Sequence, residues 1–238
     1  MNFEGKNILI AGGSSGIGLH LVNLLSGLGA QIYVISRTAS PDWQEGVRHL
    51  PADITGNLDA IPDFLPETID GLVYAVGSIN LKPFGRLSED DFLMDYRLNV
   101  LGAARLIQLS LKSLKTANSA SVVLISSVAA QMGMPYHASI SAAKGAVEGL
   151  ALSLAAELAI QQIRVNVIAP SLTDTPMSRQ LLSTPEKKEA SAKRHPLGKY
   201  GQPGDVSRAI AFLLSEESGW MTGQVIGVDG GIGKLKTT

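Results

Sequence analysis

No cysteine occurs among the 238 residues of this sequence. Its absence excludes disulfides, thiolate-bound metals and cysteine nucleophiles. The histidines also do not suggest a metal site, because they are scattered along the sequence and lack the spacing of metal ligands. No metal site is therefore expected, although four histidines are present: His20, His49, His137 and His195.

Charge is also scarce and balanced, with 17% charged residues and a formal net charge of −1. A chain without a basic excess has no surface that strongly attracts phosphate backbones or anionic lipids. We therefore expect neither a nucleic acid nor a membrane as partner. A small molecule is the expected ligand.

Long uninterrupted apolar runs are missing as well. Residues 1–6 carry no apolar stretch behind a charged start, so a secretory signal is not expected. The most apolar predicted helix, residues 142–160, is interrupted by Lys144, Glu148 and Glu157, which favours a buried helix over a membrane span. With 45% hydrophobic residues, the chain predicts a single domain over residues 1–238, located in the cytoplasm.

Short, almost continuously apolar runs alternate with helical patterns along the chain. Strands that are covered by helices on both faces have this composition. The pattern predicts an α/β fold with a doubly wound, mostly parallel sheet in three α/β/α layers, a Rossmann fold. The predicted strands are residues 7–11, 31–36, 70–76, 121–126, 164–169 and 224–228.

The helical patterns between these strands differ in clarity. The first helix is predicted over residues 16–28, with Gly29 ending it, and another is predicted to begin at Ser88. The long apolar pattern after Ser88 fits either one bent helix or two. Residues 175–194 contain two prolines and mixed charges, so they predict either a mobile segment over a pocket or a solvated helix.

A glycine cluster, Gly12-Gly13-Ser14-Ser15-Gly16-Ile17-Gly18, follows the first predicted strand and opens the first helix. Glycines there permit a tight turn and a close approach of the backbone to a pyrophosphate, whose charge the helix N-terminus attracts. A flexible turn is the alternative, but the strand-glycine-helix order favours dinucleotide binding.

The Gly-x-x-x-Gly-x-Gly spacing resembles that of the short-chain dehydrogenase/reductase family, and the resemblance covers nearly the whole chain. Further matching motifs are Asp53-Ile54, Gly77, Asn99-Val100-x-Gly102, Ile125-Ser126-Ser127, Ser141 to Gly145, Pro170 to Thr175 and Gly227 to Gly231. The resemblance implies an oxidoreductase of a small carbonyl or alcohol substrate. It also implies a homodimer or homotetramer that pairs through residues 92–114 and 139–160.

The resemblance implies NADP as cofactor, with NAD less favoured. The second predicted strand ends in Ser36-Arg37, which offers no carboxylate to repel a 2′-phosphate and one guanidinium to bind it, unless Arg37 is only a surface residue. The cofactor-binding residues implied by the resemblance are Gly12, Ser14, Ser15, Gly16, Ile17, Gly18, Ser36, Arg37, Asp53, Ile54, Ala75, Val76, Gly77, Lys144, Pro170, Thr173 and Thr175.

The family's catalytic set combines asparagine, serine, tyrosine and lysine. The resemblance assigns Asn99, Ser127 and Lys144, and puts Ile140 at the position of the tyrosine. Isoleucine cannot transfer a proton, and a positioned acid or base typically contributes about 10² to 10⁴ in rate. Tyr136 or His137 is left open as a substitute. Two functions follow: an NADP-dependent oxidoreductase that uses Ser127 and Lys144 with a displaced proton donor or solvent, or a nucleotide-binding regulatory or partner subunit without turnover.

Two further departures from the family pattern touch this site. Tyr74-Ala75-Val76-Gly77 replaces the usual Asn-Asn-Ala-Gly, so the side-chain hydrogen bonds that brace the central strand are expected to be missing. Ser171 stands where a glycine usually follows the proline. Both are expected to loosen the site. The residues expected at the pocket edge are Gln131, Met132, Met134, Tyr136 and His137.

Overall fold

A seven-stranded sheet with helices on both faces forms the fold in a computed structural model, which describes residues 1–236. The strands are β1 (Asn7–Ala11), β2 (Gln31–Ser36), β3 (Arg48–Pro51), β4 (Gly71–Tyr74), β5 (Ala120–Ile125), β6 (Ile163–Pro170) and β7 (Val225–Val228). The α-helices are α1 (Gly16–Gly27), α2 (Ile61–Phe64), α3 (Glu89–Tyr96), α4 (Gly102–Thr116), α5 (Ala138–Leu158), α6 (Pro185–Arg194) and α7 (Pro203–Leu214).

All seven strands are parallel, in the order β3-β2-β1-β4-β5-β6-β7. The predicted doubly wound Rossmann fold is therefore confirmed. The six strands predicted from apolar runs are all present, and their ends differ by two residues at most. The apolar runs did not include β3, whose sequence Arg-His-Leu-Pro lies at the sheet edge and is only partly buried.

Each face of the sheet buries its own apolar cluster. On one face, α4 and α5 contribute Leu106, Val147 and Ala151. On the other, α1 and α7 contribute Leu21 and Ile210. Strand β2 pairs with one side of β1, and β4 pairs with the other side. The order in which the chain adds strands to the sheet therefore reverses at β1. In open α/β sheets a ligand binds at such a reversal, beyond the carboxyl ends of the strands.

The apolar pattern after Ser88 forms one continuous helical run. Ser88 and Asp91 make a reciprocal capping box at its start, as the predicted helix start requires. Between α3 and α4 the run passes through a π-helical segment, Arg97–Leu101, which contains Asn99. Such insertions are often found at functional sites.

The segment 175–194 is folded into two short helices, a 3₁₀ helix Pro176–Leu182 and α6. It contributes Met177, Ser178, Leu181 and Arg194 to the cavity described below. The segment thus combines a largely solvated helix with a wall of the pocket. In residues 1–236, none of the helices has the length and apolarity needed to cross a membrane.

Candidate functional site

A cavity of about 830 Å³ opens at the carboxyl ends of the strands. The structure brings every predicted cofactor-binding residue into its lining: Gly12, Ser14, Ser15, Gly16, Ile17, Gly18, Ser36, Arg37, Asp53, Ile54, Ala75, Val76, Gly77, Lys144, Pro170, Thr173 and Thr175. Ser127 and Ile140 line the same cavity. Residues far apart in the sequence therefore share one site.

The loop between β1 and α1 requires glycine at two positions, Gly12 and Gly18. Gly12 has φ +84°, and a Cβ there would lie 2.9 Å from the carbonyl carbon and oxygen of Ala75. A Cβ on Gly18 would collide with the carbonyl of Gly12. These contacts force the loop close to β4 and hold α1 against it, which leaves the backbone exposed to the cavity as a pyrophosphate requires.

The N-terminus of α1 is open toward this cavity. Ser15 occupies the N-cap position, yet among the described residues its side chain makes no capping hydrogen bond, and the first turn carries no acidic residue. The helix dipole and the free N–H groups there favour an anion. The residues present therefore fit the phosphates of a dinucleotide.

The edge of the cavity at β2 and β3 contains the position that the sequence predicts to select the cofactor. Arg37 is exposed and lines the cavity, whereas Ser36 is buried and its hydroxyl donates to the carbonyl of Thr38 at 2.8 Å. Asp53 accepts hydrogen bonds from the backbone N–H and hydroxyl of Thr55, which lower the pKa of its carboxyl group. Arg37 is thus the freely projecting cation at this edge.

Ser127 and Lys144 meet at the opposite end of the cavity. Ser127 follows β5, and its Oγ accepts a hydrogen bond from the backbone N–H of Ala129 at 3.2 Å. Lys144 is buried, and its Nζ donates to the carbonyl of Ile125, also at the end of β5, at 2.7 Å. Burial lowers the pKa of Lys144 to about 8, although Asp95 acts in the opposite direction.

Ile140 lies one helical turn before Lys144 on α5, and both side chains line the cavity. Residues four apart lie on one face of a helix. The face that presents the lysine therefore also presents an apolar, buried group. Ile140 thus has the position four residues before the lysine, and an isoleucine side chain there neither donates nor accepts a proton.

Asn99 is buried and lies outside the cavity lining. Its Nδ2 donates to the carbonyl of Asp95 at 2.8 Å, while its Oδ1 has no hydrogen-bond partner among the described residues. That Oδ1 and the Nζ of Lys144 lie 3.3 and 3.5 Å from the place where a Cβ on Gly77 would sit. A side chain at residue 77 would therefore press against both the Asn99 amide and the Lys144 ammonium.

Comparison with known proteins finds relatives over nearly the whole chain. A family profile described as Enoyl-(Acyl carrier protein) reductase matches residues 11–233. The chain is 35% identical to a tropinone reductase homolog of Arabidopsis thaliana, over 97% of this chain and 94% of that protein. It is 32% identical to the 3-oxoacyl-(acyl-carrier-protein) reductase FabG of Thermotoga maritima, over 98% and 99% of the two chains.

The chain belongs to the short-chain dehydrogenase/reductase family. It is accordingly an NAD(P)-dependent oxidoreductase of the class that acts on carbonyl and alcohol substrates. Among solved structures of the family, a gluconate 5-dehydrogenase from Burkholderia cenocepacia in complex with NADP and tartrate superposes with a TM-score of 0.90 at 27% identity, covering 99% of this chain and 98% of that one.

The central strand of this short-chain dehydrogenase/reductase is braced by a tyrosine. The Tyr74 hydroxyl donates to the carbonyl of Leu98 in the π-helical segment at 2.5 Å. Burial raises the pKa of that hydroxyl, and the carboxylate of Asp53 adds to the rise. The expectation that the strand lacks a side-chain brace is therefore wrong, because a phenol from the strand itself reaches across to the helix.

Ser171 is likewise engaged. Its Oγ lies 2.9 Å from Nε2 of His195, a ring that is only 4% exposed. Both residues line the cavity. From the sequence, Ser171 was expected to loosen the site, and His195 was one of four scattered histidines. No local pattern connects two residues that are 24 positions apart. The contact instead ties the end of β6 to the end of α6.

The expected pocket edge is only partly right. Met134 and His137 line the cavity, but Gln131, Met132 and Tyr136 lie outside its lining. Tyr136 has φ +69° and is 61% exposed. His137 is half-buried, and its Nδ1 lies 2.7 Å from the carbonyl of Pro135. Of the two substitutes left open by the sequence, only His137 faces the cavity.

Proposed function

We propose that this protein binds NADPH and reduces a small carbonyl compound, and that it oxidises the corresponding alcohol with NADP. The observation that carries the proposal is the shared cavity. The glycine loop and open helix N-terminus, the Arg37 edge and the Ser127–Lys144 end all line it. A phosphate cradle and an oxygen-polarising group are thereby held at two ends of one site.

The preference for NADP(H) follows from the charge of the cavity. Four cationic side chains line it among the described residues, against the single carboxylate of Asp53: Arg37, Arg97, Lys144 and Arg194. The additional phosphate of NADP(H) gives it a stronger electrostatic attraction to these cationic side chains than NAD(H) has. A guanidinium also binds phosphate in a bidentate manner. The NADP complex of the related gluconate 5-dehydrogenase supports the same choice.

The chemistry divides between cofactor and chain. When bound, the reduced nicotinamide supplies the hydride. The Ser127 hydroxyl donates a hydrogen bond to the substrate oxygen as negative charge grows there, and the Lys144 ammonium stabilises that charge and holds the nicotinamide ribose. Asn99, without a place in the cavity wall, positions the π-helical segment beside Lys144.

Ile140 favours a second candidate function, nucleotide binding without turnover. An isoleucine on the cavity face of α5 neither donates nor accepts a proton, so the tyrosine-dependent route is closed. In that case the protein acts as a regulatory or partner subunit. The two candidates share their cofactor site and differ only in whether a carbonyl is reduced.

We also propose that the protein is a homodimer or homotetramer. Its α3–α5 region exposes large apolar side chains, including Met94, Tyr96, Leu101 and Leu152. Exposed apolar groups on neighbouring elements are typical of subunit interfaces. Sedimentation velocity at micromolar concentration tests the proposal, and a species of one chain's mass contradicts it.

The decisive experiment separates binding from turnover. Purified protein is titrated with NADPH and with NADH, and then assayed for NADPH oxidation with a panel of small ketones, aldehydes and keto acids. We expect tighter binding of NADPH than of NADH and measurable oxidation with some panel members. NADPH binding with background oxidation favours the second candidate. A folded sample that binds neither nucleotide rejects both.

A further inference from the structure

Ser171 and His195 form a hydrogen-bonded pair with a defined proton arrangement. Nδ1 of His195 lies 2.7 Å from the carbonyl of Ser191, and Nε2 lies 2.9 Å from Oγ of Ser171. A carbonyl oxygen only accepts, so Nδ1 carries the hydrogen of that bond. Nε2 is therefore the nitrogen that exchanges a proton with the serine.

We propose that Ser171, with His195 beside it, is the acid–base pair that transfers the proton to and from the substrate oxygen. The proposal rests on the proposed carbonyl reduction. Ile140 on α5 cannot transfer a proton. The proposal assigns this proton transfer to Ser171, at the end of β6, and His195, at the end of α6. Ser171 contacts the substrate oxygen, and His195 acts through Ser171.

The sheet brings Ser171 to the same end of the cavity as Ser127. Strands β5 and β6 are neighbours, with Ile125 opposite Ile168, and Ser127 and Ser171 follow two and three residues beyond that pair. Adjacent strands lie about 4.8 Å apart. Both serines line the cavity, and Lys144 donates to the carbonyl of Ile125 at the same edge. Both serines therefore border the same cavity at neighbouring strand ends, and the proposal places the substrate oxygen between them.

The protons balance in both directions. In reduction, the carbonyl carbon gains a hydride and the oxygen gains a proton from Oγ of Ser171. The O–H bond of Ser171 breaks as Nε2 of protonated His195 returns a proton to Oγ, and the imidazole is left neutral until solvent reprotonates it. In alcohol oxidation the same atoms act in reverse, with neutral Nε2 accepting the proton through Ser171.

The surroundings hold this pair in place. The His195 ring is buried, and a Cβ on Gly230, which has φ +61°, would lie 3.4 Å from it. By contrast, the His137 ring has one hydrogen-bond partner within residues 1–236, a carbonyl two residues before it, in a segment that also contains the exposed Tyr136. A donor fixed on both ring nitrogens is better positioned for repeated proton transfer.

A double-mutant cycle tests the proposal. The proteins compared are the native chain, Ser171→Ala, Ile140→Tyr and the double variant, with His195→Gln and His137→Gln measured alongside. Ser171→Gly, which introduces the residue usual in the family, serves as a second variant at that position. Each is assayed for kcat and KM with the best substrate of the carbonyl panel, and for the NADPH dissociation constant.

We expect Ser171→Ala and His195→Gln each to lower kcat by about 10²-fold, with NADPH affinity changed by less than about twofold. Because a tyrosine at residue 140 supplies its own proton, Ser171→Ala should cost less than about threefold in the Ile140→Tyr background.

Native kcat in both Ser171 variants overturns the proposal, as does an equal loss in the two backgrounds or a loss confined to His137→Gln. These outcomes leave the proposed reduction standing. Background turnover in both the native chain and Ile140→Tyr rejects carbonyl reduction itself, and with it the role of the pair.

Discussion

The phenol of Tyr74 occupies the space that a side chain at residue 102 would need. A Cβ built on Gly102 collides with the Tyr74 hydroxyl, which donates to the carbonyl of Leu98. The end of the π-helical segment is thus glycine because β4 reaches it with a tyrosine. The contact joins the central strand to the segment that holds Asn99.

We expect Gly102→Ala to destabilise the protein by about 1 to 3 kcal/mol, since the added methyl overpacks a buried site and displaces a hydrogen-bonded phenol. Urea unfolding measures the change. Gly149→Ala is the matched control, because that glycine lies in α5 with no described atom within 4 Å of its added Cβ. An alanine there should stabilise the helix by up to about 1 kcal/mol. Equal effects of the two variants contradict the packing argument.

Arg37→Ala should weaken NADPH binding by about 10- to 100-fold, which corresponds to the loss of a charge-assisted hydrogen-bond pair. NADH binding should change little, because NADH lacks the 2′-phosphate. Isothermal titration with both nucleotides measures the difference. Arg86→Ala is the control, since Arg86 is also exposed but lies outside the cavity lining. Parallel losses for NADPH and NADH would assign Arg37 another role.

Lys144 should make stability depend on pH in the alkaline range. Burial lowers its pKa from 10.5 to about 8, so between these values the unfolded chain holds a proton that the folded protein has released. Stability therefore rises with pH in this window. Relative to Lys144→Met, the native free energy of unfolding should rise by roughly 3 kcal/mol from pH 7 to pH 10.5. The exposed Lys188→Met serves as control in the same urea titrations. A flat difference between native and Lys144→Met contradicts the prediction.

Asp91 should stabilise the protein at neutral pH and cease to do so in acid. Lys82 donates to its Oδ1 at 2.6 Å, and with Ser88 and Asn80 it holds the pKa of Asp91 well below the usual range. The stabilisation is complete above the unfolded carboxyl pKa near 3.9 and is lost as the pH falls below it. Asp91→Asn should therefore lower the melting temperature at pH 7 more than its exposed neighbour Asp90→Asn, with the gap beginning to narrow below about pH 4 and closing only well below about pH 3. A gap that does not narrow at all between about pH 5 and about pH 2 refutes this account.

The sequence anticipated the fold where burial is uniform. Strands β1 and β2 were predicted with their observed ends because both are covered by helices and have almost continuous apolar sequences. Strand β3 was not among the predicted apolar runs, because an edge strand pairs on one side and keeps polar side chains. The glycine loop was also predictable, since its tight turn and close approach to β4 demand glycine itself.

The side-chain contacts of Tyr74 and Ser171, two positions where the chain departs from the family pattern, could not be predicted from the sequence. Tyr74 finds its acceptor 24 residues away, and Ser171 finds His195 at the same separation. A separation of 24 residues produces no periodic pattern in the sequence. Both departures were therefore expected only to loosen the site. The π-helical segment that contains Asn99 was not predicted either.

By itself, the sequence determined the parallel sheet and the glycine loop after β1, because the sheet depends on local composition and the loop on glycines that no other residue can replace. The tertiary structure alone decided which polar groups meet at the carboxyl edge of β5 and β6. Hydrogen bonds between residues distant in the chain depend on how strands and helices are stacked, and that stacking is set by the packing of the whole core.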